Sequence, residues 1–119
     1  MNGRILVIGL QGVSLVVAAF AMSAVAFEAK AGPPPPQTAL VRIGNFTFAQ
    51  QTLAVRPGTT VTWVNDDDIP HTVVAKNLSF RSKVLDTGDR FSFTFAKPGQ
   101  FAYFCSLHPH MTATIVVKA

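Results

Sequence analysis

One cysteine, Cys105, is all that this 119-residue chain has. An intramolecular disulfide is therefore excluded, and in an oxidising compartment a lone free thiol is a liability unless something occupies it. Clustered positive charge is missing as well. The formal net charge is +4, yet Arg42, Arg56, Lys76, Arg81, Lys83, Arg90, Lys97 and Lys118 are dispersed along the chain. With no basic tract and no aromatic-basic motif, nucleic-acid binding has no support. No long amphipathic helix and no internal repeat is visible from residue 38 onward, which leaves a helical architecture without support.

What is present starts with a leader. Arg4 precedes an apolar run from Ile5 to Phe27, interrupted only by glycines, Gln11, Ser14 and Ser23, and Ala29-Lys30-Ala31 closes it with small residues. A positive start, an apolar stretch and an A-x-A exit read as a secretory signal over residues 1–31, with Ala24-Val25-Ala26 as a second exit. The competing reading is an uncleaved anchor through residues 5–27, since about 20 apolar residues span a bilayer. Gly32-Pro33-Pro34-Pro35-Pro36 follows as an extended spacer, residues 32–37. The folded domain is expected over residues 38–119. Without residues 1–31, which hold Arg4, Lys30 and Glu28, the remainder carries eight basic and five acidic side chains, a formal +3.

From residue 38 the apolar pattern has period two. Thr59-Thr60-Val61-Thr62-Trp63-Val64 alternates, and Phe91-Ser92-Phe93-Thr94-Phe95 places three phenylalanines on one face. Further strand-like runs are 40–43, 46–48, 53–55, 71–75, 101–105 and 112–117. Arg56-Pro57-Gly58-Thr59 and Lys97-Pro98-Gly99-Gln100 both place Pro-Gly where a type II turn wants it. Short strands with Pro/Gly punctuation predict an all-β sandwich, with residues 76–89 looping over one edge. Phe101, Tyr103 and Cys105 share a face, so the thiol is expected to point as the buried aromatics do. His71 opens a strand directly after Pro70, whose fixed φ stiffens its approach.

The chemistry lies in Cys105-Ser106-Leu107-His108-Pro109-His110-Met111. Cys-x-x-His-x-x-Met, with His71 upstream, supplies a thiolate, two imidazoles and a thioether. That is the ligand set of a blue-copper electron-transfer site, two His and one Cys in a plane with a weak axial Met. Thiolate and thioether suit Cu(I), imidazole serves both oxidation states, and a rigid frame holding all four limits rearrangement between them. Three ligands are expected from the end of one strand and its following turn, and one from the start of another. His110 competes with His108. If His110 ligated, Met111 would be its direct neighbour and poorly placed to converge, so His108 is preferred. Met111 taken alone reads as core. Asp66-Asp67-Asp68 reads as a solvated turn rather than a hard-cation site. Asn45-Phe46-Thr47 and Asn77-Leu78-Ser79 match the glycosylation sequon.

From Gln51 to Lys118 the chain resembles the cupredoxins, and within them the amicyanins. The matching blocks are 55–65, Val-Arg-Pro-Gly-Thr-Thr-Val-Thr-Trp-Val-Asn, then Pro70-His71, then 91–111 through Pro98-Gly99 to the Cys-x-x-His-x-x-Met loop. The resemblance implies a Greek-key sandwich and one type 1 copper held by His71, Cys105, His108 and, weakly, Met111, cycling between Cu(I) and Cu(II). It implies a monomeric one-electron carrier, not an enzyme, periplasmic or secreted, and on a membrane only if the leader is uncleaved. Its partners would be a redox donor and acceptor docking briefly on an apolar patch of Leu107 and Pro109 around His108. Copper storage or delivery is the non-redox alternative. Two positions depart from the family: Thr72 stands where amicyanins carry an Asn that ties the first ligand strand to the Cys loop, and His110 replaces the usual aromatic. Thr72 is expected to lack the amide's reach.

Overall fold

The computed structural model describes residues 37–119 continuously, and before them only positions 2, 3, 9, 12, 14, 16–19, 21 and 35. Residues Met1–Gly32 and Pro33–Ala119 group as separate units, and every element below belongs to the second. Most of the expected signal segment and of the proline spacer lies outside the described residues. Among the described residues no helix is long and apolar enough to cross a membrane.

Among the described residues eight strands follow in chain order: β1 Thr38–Gly44, β2 Thr47–Phe48, β3 Thr52–Val55, β4 Thr59–Asn65, β5 Val74–Ala75, β6 Arg90–Phe95, β7 Gly99–Cys105 and β8 His108–Val117. They form two four-stranded sheets, ordered β2-β1-β4-β6 and β3-β8-β7-β5. β1 runs parallel to β4, and β3 parallel to β8, while β4–β6, β5–β7 and β7–β8 are antiparallel. Sheet partners so distant in sequence are what a Greek-key sandwich requires. The all-β expectation is met.

Period two explains the packing. Val41 and Ile43 of β1, Val61 and Trp63 of β4, and Met111, Ala113, Ile115 and Val117 of β8 all turn inward, with Arg42, Thr62, Thr112, Thr114 and Val116 between them on the other face. Register places Trp63 between Val41 and Phe91. Its buried ring stacks on Phe80 at 5.7 Å and meets Tyr103 edge-on at 5.4 Å, contacts adding roughly 0.5–1.5 kcal/mol each beyond area burial. On the outer face, the hydroxyls of Thr60 and Thr94, and of Thr62 and Ser92, pair across β4 and β6 at 2.7 Å.

The turns differ from one another. At Arg56–Thr59, Gly58 has φ of 90° and the Thr59 N–H donates to the Arg56 carbonyl at 3.2 Å, as a type II turn demands. At Gly99 φ is 152°, wider than that turn allows, and the residue already pairs with Val117 as the start of β7. The run expected as a strand from Phe46 shortens to Thr47–Phe48, because Asn45 and Phe46 form the tight β1–β2 turn with φ of 50° and 57°. The segment 76–89 loops back as expected, sinking Phe80 and Leu85 into the core.

Candidate metal centre

Cys105 ends β7 on the same face as Tyr103, and both are fully buried. The chain then reverses through Ser106 and Leu107 alone, so that Cys105 sits opposite His108, with a register shift between Phe104 and Cys105. This corrects one expectation. His108 and Met111 belong to β8 itself rather than to a turn, because the hairpin is tight enough for pairing to resume at His108. His71 is also placed differently from the reading that had it opening a strand. It makes an isolated bridge with Leu85, each residue's N–H donating to the other's carbonyl at 3.1 and 2.8 Å, and regular pairing starts only at Val74. The returning loop, not a sheet neighbour, holds the histidine backbone.

Three donors converge. One ligand atom each from His71, Cys105 and His108 lies within 4.8 Å of the others. Cys105 Sγ is 3.7 Å from His71 Nδ1 and 3.6 Å from His108 Nδ1. His71 is fully buried and His108 half-buried, so one imidazole is sealed in and the other reaches the surface. Met111 is buried at 5% exposure on the inward row of β8, whereas His110 is exposed.

The thiol is prepared for ligation. Burial raises its pKa, but the Thr72 N–H, the His71 and His108 rings and the Leu107 N–H outweigh this and bring it down to about 6. The Thr72 N–H donates to Sγ at 3.3 Å. Thr72 also reaches farther than its size suggested. Its Oγ1 accepts the Ser106 N–H at 2.7 Å and pairs with the Ser106 hydroxyl at 2.7 Å, so the short side chain still ties the His71 segment to the Cys105 turn. The tight hairpin brings Ser106 close enough for a hydroxyl to suffice.

Two residues beyond the ligand motif complete the surroundings. Asp67 Oδ2 lies 2.9 Å from His71 Nε2. The Phe46 N–H first, and the His71 ring second, hold that carboxyl down at about 2. Asp67 is thus no free solvated carboxylate, although its neighbour Asp66 pairs in the open with Arg42. Phe46 places its ring edge-on against His108 at 5.0 Å and His71 at 5.8 Å. Nothing in the period-two pattern marks Phe46, whose position comes from a left-handed turn. The only local hint for Asp67 was its spacing of four from His71.

Known proteins share this sequence pattern and fold. A cupredoxin-like domain model matches residues 13–117. This chain belongs to the cupredoxins. Amicyanin-alpha of Methylorubrum extorquens is 30% identical over 103 residues, covering 82% of this chain and 86% of that one. Amicyanin of Paracoccus versutus is 28% identical over 89 residues, covering 71% and 67%. Among solved structures, a purple cupredoxin from Nitrosopumilus maritimus superposes with a TM-score of 0.64 at 34% identity, covering 67% of this chain and 99% of that one. An amicyanin variant in its Cu(I) form superposes with a TM-score of 0.64 at 30% identity, covering 68% and 82%.

The residues of this cupredoxin fit a type 1 copper. A buried, readily ionised thiolate and two imidazole nitrogens within a few ångströms form the soft-plus-borderline donor set that copper favours, and the chain carries the His-Cys-His-Met combination typical of the family. Full burial of His71 and Cys105 keeps water from their side of the donor set.

Proposed function

We propose that His71 Nδ1, Cys105 Sγ and His108 Nδ1, with Met111 as a weaker ligand, would hold the copper, and that the protein is a one-electron carrier between larger redox proteins. The bound metal supplies the Cu(II)/Cu(I) couple. The observation that carries this reading is the pre-set donor pocket: three ligand atoms within 4.8 Å, two of their residues fully buried, fixed by the Thr72–Ser106 clasp. A frame that holds its ligands before the metal arrives leaves little to rearrange when the oxidation state changes.

His71 anchors the site from the inside. Cys105 gives the charged, polarizable ligand, and its hydrogen bond from the Thr72 N–H spreads that charge. His108 leads to the surface, where Leu107 is 48% exposed and Phe46 45%. An apolar surface of this kind suits brief docking over a small area. Donor and acceptor would be proteins, met in the periplasm or an extracellular space by a monomer that is free or tethered through residues 5–27. The reading as a carrier rather than an enzyme draws on the enclosure of the donor set.

The test sets electron exchange against metal transfer on one sample. A carrier keeps its copper through repeated oxidation and reduction and exchanges electrons rapidly between copies. Leu107→Glu slows that exchange by like-charge repulsion and desolvation while leaving the visible band in place. Fast loss of Cu(I) to a modest chelator, with sluggish self-exchange, would instead show a storage or delivery protein.

A further inference from the structure

The side of the His71 ring away from the thiol faces a carboxylate. His71 Nδ1 is 3.7 Å from Cys105 Sγ, and Nε2 is 2.9 Å from Asp67 Oδ2. An ionised carboxylate only accepts, so Nε2 carries a proton and Nδ1 is the nitrogen left to face the centre.

Asp67 is itself fixed from several directions. Oδ2 also accepts the Phe46 N–H at 3.0 Å, and Oδ1 the Asp68 N–H at 3.1 Å. Its own N–H donates to Asn65 Oδ1 at 2.9 Å, and the Thr87 hydroxyl donates to its carbonyl at 2.6 Å. The fully buried Asn65 is anchored in turn by donating to the carbonyls of Ile69 and Leu85 at 2.9 Å each. The same carboxylate holds the turn at Asn45 and Phe46, whose φ values of 50° and 57° lie in the left-handed region, unfavourable for a bulky residue such as Phe46. That strained turn carries the ring that lies against both imidazoles.

Resting on the ligand reading of His71, we propose that Asp67 is the positioning residue of the centre. Its carboxylate keeps the His71 proton on Nε2, presents Nδ1 to the metal, and by its negative charge favours Cu(II) over Cu(I). A carboxylate behind a metal-ligating histidine fixes the ring and raises its basicity. Here it also joins the ring to the Phe46 turn, so one side chain sets both the histidine and the group packed against it.

Three variants separate these roles. Asp67→Ala removes the acceptor, Asp67→Asn keeps an acceptor but loses the charge, and Phe46→Gly removes the ring while relieving the backbone and leaving the carboxylate. Nitrogen-15 resonances of the imidazoles in the metal-free protein report the tautomer. Wild type and Phe46→Gly should show His71 protonated at Nε2, and Asp67→Ala should not hold that single form. In the copper-loaded protein, Asp67→Asn should keep the visible band and raise the reduction potential by at least a tenfold change in the Cu(II)/Cu(I) balance, about 59 mV for one electron. An unchanged tautomer in Asp67→Ala together with an unchanged potential in Asp67→Asn would overturn the proposal. A wild-type protein that takes up copper without a visible band would overturn the ligand assignment and with it the charge effect, while the metal-free spectra decide the tautomer on their own.

Discussion

Replacing Thr72 by Val keeps the shape of a 5%-exposed side chain and removes only its hydroxyl. Three interactions go with it: acceptance of the Ser106 N–H at 2.7 Å, the pair with the Ser106 hydroxyl at 2.7 Å and the longer approach to Cys105 Sγ at 3.8 Å. The Thr72 N–H remains on the sulfur. A buried donor left unpaired costs about 1–3 kcal/mol. Ser106 lies at the surface, so water recovers part of that loss and about 1.5 kcal/mol is the expected cost. In a domain of this size, that lowers Tm by about 6–12 °C. The assay is thermal unfolding of the metal-free protein, followed by circular dichroism, for Thr72→Val, Ser106→Ala and the double variant. Because both hydroxyls serve one contact, the double variant should fall short of the sum of the singles. Thr72→Ser should restore most of the loss. A Tm drop below about 2 °C in Thr72→Val, or strict additivity, would show that the clasp between the His71 segment and the Cys105 turn carries no weight.

Burial pushes the Tyr103 hydroxyl up to about 12, against 10 for the unfolded chain. The folded state therefore holds this proton more tightly, so the associated stability is present below pH 10 and falls by about 2–3 kcal/mol as pH rises towards 12. Urea midpoints at pH 8 and pH 11 should show the loss in the wild type and not in Tyr103→Phe; parallel losses in both would refute it. The Tyr103 hydroxyl has no hydrogen-bond partner among the described residues, so Tyr103→Phe should be neutral or stabilising at pH 8 by the same urea assay. His110→Ala should leave the visible spectrum of the copper-loaded protein largely intact, whereas His108→Gly should open a position that added imidazole refills; the reverse pattern would exchange the two histidines.

The sandwich was legible because its strands alternate cleanly: the inward rows of β4, β6 and β7 follow directly from Val61-Thr62-Trp63, Phe91-Ser92-Phe93-Thr94-Phe95 and Phe101, Tyr103, Cys105. The convergence of His71, Cys105 and His108 was legible from spacing and chemistry together. What alternation could not show were features set by backbone outside strands. His71 is held by a bridge to Leu85 from the returning loop, a pairing that needs the folded path of residues 76–89. Phe46 reaches the imidazoles through a left-handed turn that an Asn-Phe pair does not announce. Asp67 looks like one of three solvated carboxylates until Asn65 and Thr87 orient it. Thr72 was judged by side-chain length, whereas its reach is decided by how closely the tight hairpin brings Ser106.

We infer that the Cys105 thiolate and its two histidines hold a copper that takes and gives one electron without leaving. A redox titration of the copper-loaded domain, monitored by visible absorbance and metal content, tests it most directly. The expected result is an intense blue band from thiolate-to-copper charge transfer, one copper per chain, bleached and restored by a single electron through repeated cycles, and absent from Cys105→Ala. Stoichiometric Cu(II) without colour, or copper released on reduction, would contradict it.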